Sequence, residues 1–159
     1  MLRSVGMLGM ALLAACASSG ASASAGDGTH WTGSLQQTMQ RTGNLAPAAQ
    51  QRATGTISAQ ESAIDSMRIQ VRLSVSAPSN ATSTLRWALL PGRCGTSTLP
   101  LLGYEQFPTI EVGSNGRGEV AIELPLRLRT GGTYHVNVYA NRGTQLTDVL
   151  TCGNLRQGS

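Results

Sequence analysis

The chain has no lysine: all 12 basic residues are arginine, scattered among 8 carboxylates without a basic run. Aromatics are scarce too, with 1 Phe, 2 Trp and 3 Tyr in 159 residues. A nucleic-acid surface needs clustered cations, and single strands need rings to stack on, so nucleic acid is not an expected partner. The only 2 histidines are His30 and His135, too few for a histidine-based metal site, where three or four ligands converge. No serine stands in a Gly-x-Ser-x-Gly elbow, so nucleophilic hydrolysis is not expected. Among the carboxylates, Glu119 and Glu123 share the water-facing side of one predicted strand, as solvated residues do. No apolar run reaches the roughly 20 residues that a membrane-spanning helix requires.

What is present starts at the N-terminus. Arg3 precedes an apolar run from Val5 to Ala15. This run is shaped like the core of an export signal and too short to span a bilayer. It ends in Leu13-Ala14-Ala15-Cys16, which reads as a lipobox, where a bacterial precursor is acylated on cysteine and cleaved just before it. The expected organisation is a lipoprotein signal peptide at 1–15, an Ala/Ser/Gly tether at 16–29 and one domain at 30–159. Acylation of Cys16 by palmitate-type chains would hold the protein on the cell envelope, since each buried CH₂ contributes about 0.8 kcal/mol. Ala17, a non-acidic residue, fits outer-membrane sorting if the cell is Gram-negative. The alternative is an ordinary signal peptide cut after Ala23-Ser24-Ala25. Loss of Arg3 with the signal leaves a net charge of +4 − 1 = +3.

With Cys16 acylated, Cys94 and Cys152 remain as an even pair in an oxidising compartment, where disulfides persist. A two-thiol metal site is the competing arrangement, but no further ligand is evident near either cysteine. A bridge would close a loop of 152 − 94 = 58 residues. The chain-entropy account credits such a closure with about 4 kcal/mol.

The two-residue period recurs along the chain, while the helical period is almost absent. Met67, Ile69, Val71, Leu73 and Val75 point one way, with Arg68, Gln70, Arg72 and Ser74 facing water. Glu119 to Arg129 alternates likewise, and Pro125 marks an edge or a bulge there. Thr133–Ala140 puts Tyr134, Val136 and Val138 on one face and His135, Asn137 and Tyr139 on the other. Ser114-Asn115-Gly116-Arg117-Gly118 should close a hairpin from a strand at Phe107–Val112. Shorter strands are predicted at Trp31–Met39, Ala53–Ala59, Leu85–Leu90 and Gln145–Thr151. Only Ala46–Arg52 and Gln60–Ser66 tempt a helical assignment. Eight short strands with frequent turns predict an all-β Greek-key sandwich or flattened barrel.

Three segments then resemble a known family. They are Leu85-Arg86-Trp87-Ala88-Leu89-Leu90-Pro91-Gly92-Arg93-Cys94-Gly95, the run Gly132 to Tyr139, and Leu150-Thr151-Cys152-Gly153-Asn154-Leu155. Together they resemble the copper/zinc superoxide dismutase-like and chordin-type (CHRD) β-sandwiches, and Trp31-Thr32-Gly33-Ser34-Leu35 looks like the first strand of bacterial CHRD-like lipoproteins. The resemblance implies a Cys94–Cys152 disulfide between a Gly loop and a C-terminal Cys-Gly segment. It also implies that the dismutase site is missing. Trp87 and Leu89 stand where the first pair of copper ligands is expected, Asn137 stands at the late ligand, and Val149 replaces the steering arginine. Gly95–Pro108, in place of the zinc loop, holds neither histidine nor aspartate.

The expected function is therefore that of a non-catalytic, membrane-anchored envelope lipoprotein with a binding or structural role, no cofactor and an unidentified envelope partner. Tyr104 and Phe107, on a long loop held by the disulfide, and Arg127 and Arg129 are the candidate contact residues. The alternative is a copper- or zinc-handling protein on the dismutase scaffold, with His135 as a ligand.

Overall fold

The computed structural model of the protein describes residues 29–37, 52–76, 83–139 and 149–158. The predicted signal peptide, Cys16 and the tether up to residue 28 lie outside them, as does most of Ala46–Arg52. Eight strands form: β1 (His30–Gln37), β2 (Arg52–Ala63), β3 (Ser66–Ser76), β4 (Ser83–Pro91), β5 (Ile110–Val112), β6 (Arg117–Leu124), β7 (Tyr134–Tyr139) and β8 (Val149–Gln157). They close an antiparallel barrel in the order β1-β2-β3-β6-β5-β4-β7-β8. β3 returns beside β6, and β7 beside β4, so two Greek keys share β4, β5 and β6. The expected all-β Greek-key class holds, and the strand order closes on itself, with β5 bridging only one end of β4 to one end of β6.

Local pattern explains most of these elements. In β3 the five apolar residues from Met67 to Val75 are buried, while Arg68, Arg72 and Ser74 are exposed. The interior is one cluster that includes Trp31, Leu35, Ile57, Trp87, Leu89 and Val136. Trp31 meets Tyr134 edge-on at 5.4 Å between ring centres. The β5–β6 hairpin turns at Gly116, whose φ of 72° is costly for any residue with a Cβ.

Three expectations change. The strand predicted to reach Arg129 stops at Leu124, because Pro125 has no N–H to continue the ladder. Beyond it Leu128 turns into the core, its N–H donating to Met67 Sδ at 3.3 Å. Gln60–Ser66 is not helical: Gln60–Ala63 continues β2 against β3, and Ile64–Asp65 make the turn. β8 runs on to Gln157, past the predicted end at Thr151, because β7 pairs with it as far as Leu155 and β1 pairs with Arg156 and Gln157, which satisfies its backbone and closes the barrel.

Candidate functional site

The barrel has a covered side and an open side. On the covered side all six residues of β7 are buried, although only alternate ones face the interior. The outward face of β4 and β7, together with Cys152 of β8, lies beneath the segment from Gly92 to Thr109, which is tied down at several points. Leu101 N–H donates to Leu89 O (2.9 Å), Thr98 Oγ1 to Pro91 O (2.9 Å) and Cys94 N–H to Asn154 Oδ1 (2.8 Å). Trp87 Nε1 donates to Pro108 O at 2.7 Å, and the Cys94–Cys152 disulfide spans Cα atoms 5.9 Å apart.

The predicted contact residues are not brought together. Phe107 is 6 % exposed and packs edge-on against Trp87, so it belongs to the core. Tyr104 keeps part of its ring in water and lies against Tyr139, with the two hydroxyls 3.5 Å apart. Burial, and then the Tyr104 hydroxyl, push the Tyr139 hydroxyl well above its ordinary value. Arg127 pairs with Glu61 at 2.8 Å. Arg129 donates its backbone N–H to the Tyr134 hydroxyl and leaves its side chain exposed. Tyr134 and Tyr139 are the two ends of β7, so the arginines and Tyr104 are separated by the length of that strand.

His135 departs from the expected solvated or hydrogen-bonded strand residue. It is 0 % exposed, between Leu90 and Asn154 in register, and neither ring nitrogen has a hydrogen-bond partner. The cover folded over β7 is the cause. Burial holds its pKa below the ordinary imidazole value, and the Gly92 backbone beside it opposes that shift without making a bond of good geometry. The positions matched to the dismutase ligands do not converge: Trp87 and Leu89 lie in register with inward-facing Val138 and Val136, while Asn137 points to the opposite face. Among the described residues no three His, Cys, Asp or Glu side chains come together.

The open side is different chemistry. Its outward row is Thr32 and Ser34 on β1, Thr56 and Ser58 on β2, and Gln70 and Arg72 on β3. Glu119 on β6 accepts from Gln70 Nε2 (2.6 Å) and pairs with Arg72 Nε (3.2 Å). Glu123 accepts from the Ser62 and Ser66 hydroxyls at 2.7 and 2.8 Å, which hold its carboxyl below the usual range.

This face is hollowed where β1 crosses β8. The two strands pair at Trp31–Thr32 and at Gln36–Gln37 with no pairing between, and their backbones touch in the gap. A Cβ on Gly33 would stand 2.5 Å from Asn154 O, and one on Gly153 2.7 Å from Ser34 O, so only glycine permits the approach. On the outer side of this stretch lies a groove of about 830 Å³ that reaches from Gln36 and the disulfide to Gln70, Arg72 and Arg156. Among the described residues no carboxylate and no aromatic ring lines it. A second hollow of about 510 Å³ shares Ser58 and Gln70 with it and continues to Arg68 and Ala121. The alternating Thr, Ser and Gln of β1 and β2 were visible in the sequence, but the strand crossing that makes them concave was not.

The fold and this face define a disulfide-bridged Greek-key β-barrel with a polar external groove. Comparison of the chain with protein-family models, with curated proteins and with solved structures found no match.

Proposed function

We propose that the protein is a lipid-anchored, non-catalytic binding barrel of the bacterial cell envelope, held through Cys16 and presenting its β8–β1–β2–β3 groove to a ligand. The observation that carries the binding role is the groove, the one place among the described pockets where many uncharged hydrogen-bonding side chains and two arginines surround a common space. The scaffold is of dismutase-like or CHRD-like type, retaining the bridged Gly loop without the ligand set. In support, His135 sits alone beneath the cover, and Cys94 and Cys152 are committed to each other.

The anchor is tested by fractionating cells that express the full chain or Cys16→Ser, with mass spectrometry of the mature N-terminus. The expected result is a membrane-bound, acylated protein beginning at Cys16, and release of the variant into the soluble fraction. A soluble wild-type protein beginning after Ala25 overturns the anchor.

A further inference from the structure

We infer that the groove binds an acidic polysaccharide, its anionic groups held by Arg156 and Arg72 and its hydroxyls by the surrounding Thr, Ser, Gln and Asn side chains. This rests on the groove being the binding site and adds the ligand's chemical class.

Shape comes first. The two hollows share Ser58 and Gln70, so together they cross β8, β1, β2, β3 and β6. That is four inter-strand spacings of about 4.8 Å, a track of roughly 19 Å. An elongated chain fills it, and a compact metabolite does not. Lining chemistry narrows the chain. Hydroxyl and amide groups dominate, so an apolar ligand would strand polar groups that water now satisfies. Without an aromatic platform, a neutral glycan would lack a stacking surface. Charge-assisted bonds from guanidinium to carboxylate or sulfate can supply the affinity instead, and no carboxylate of the described residues lines the groove to repel them.

An acidic peptide is the other anionic chain. Peptides gain affinity on sheets by adding to a free edge. β8, β1, β2 and β3 each have a strand neighbour on both sides, and where β1 and β8 leave their ladder unpaired their backbones are too close for a further strand to enter, so the groove offers side chains and not a ladder edge.

The two arginines are not equivalent. Arg156 has no ion pair among the described residues, whereas Arg72 is shared with Glu119 at 3.2 Å. Glu119 is not among the lining residues but holds two of them, Arg72 and Gln70, so its carboxylate competes with an anionic ligand for Arg72. Removing its charge should therefore strengthen binding, an effect that general loss of structure cannot produce.

The test is titration of the full chain, purified in mild detergent, with alginate and heparin as acidic polysaccharides, and with dextran and polyglutamate as controls. The expected result is binding to at least one acidic polysaccharide, weakened by added salt, about tenfold weaker in Arg156→Gln and about threefold tighter in Glu119→Gln. Both side chains are exposed, and matching circular dichroism and melting curves confirm that the variants fold. Any of three outcomes overturns the inference: no binding to alginate or heparin, equal binding to dextran or polyglutamate, or affinities indifferent to both substitutions. A protein that is soluble in fractionation yet binds alginate sinks the anchor alone, and an anchored protein that ignores both acidic polysaccharides sinks the ligand class alone.

Discussion

β3 and β7 are strands of one barrel with opposite surroundings. Along β3, inward Val71 and Leu73 alternate with outward Arg72 and Ser74, and water covers every second side chain. Along β7, inward Val136 and Val138 alternate with outward His135 and Asn137, yet all of them are buried. Both strands carry a two-residue period. What differs is the segment from Gly92 to Thr109, which folds over one side and reaches the other only at Cys94, on the rim of the groove. The covered side invests in rigidity, through a disulfide, a buried indole bond and ring packing. The open side keeps its polar side chains available, which is the condition for binding.

That division can be broken most severely at Trp87. Its indole fills the core, packs on Phe107 and donates to Pro108 O, tying cover to barrel. Trp87→Ala should cost about 3–5 kcal/mol in urea unfolding, against less than about 0.5 kcal/mol for Thr56→Ala on the open face. Equal losses would mean that the cover contributes nothing.

Next in size is the staple. Replacing both Cys94 and Cys152 by alanine should lower stability by about 2–4 kcal/mol while leaving the all-β circular dichroism spectrum intact. The cover should then become cleavable by protease between Cys94 and Phe107 before the barrel unfolds.

A smaller change sharpens the open side. Gly153→Ala places a methyl against Ser34 O at the β1–β8 crossing and should cost about 1–3 kcal/mol. Strand separation there should also weaken alginate binding, which Trp87→Ala, away from the groove, would leave unaltered.

The smallest effect is read through pH. Because burial depresses the folded pKa of His135, the unfolded chain takes up the proton more readily. The contribution is complete above about pH 6.5, the ordinary imidazole value, and declines as pH falls from there toward the folded value. Melting temperature should fall between pH 7 and pH 5 in the wild type and should be flatter over that window in His135→Leu. Parallel slopes in the two proteins would place the titration elsewhere.

Much of the fold was legible because its signals are local. The alternation from Met67 to Val75, the Asn115-Gly116 hairpin and an even cysteine pair each depend on residues close in sequence or on simple counting. The misreadings share a different cause. Gln60–Ala63 looks helical until β3 pairs with it, and the last strand looks finished at Thr151 until β7 pairs with Cys152 to Leu155 and β1 with Arg156 and Gln157. Phe107 looks like a contact residue until Trp87 receives it. The groove was the least legible of all, because it lies where the first and last strands come together, Gly33 against Asn154 and Gly153 against Ser34, and neither segment encodes that contact.

By itself, then, the sequence determined that this chain is all-β, which residues of most strands share a face, and which two cysteines of the domain were left to pair. Tertiary structure alone decided which of those faces stays in water, why His135 has no partner and where the outer surface becomes concave. The physical reason is that side-chain alternation is a property of one strand. Burial of an outward face depends on what another part of the chain, such as a cysteine 58 residues away, brings to lie upon it.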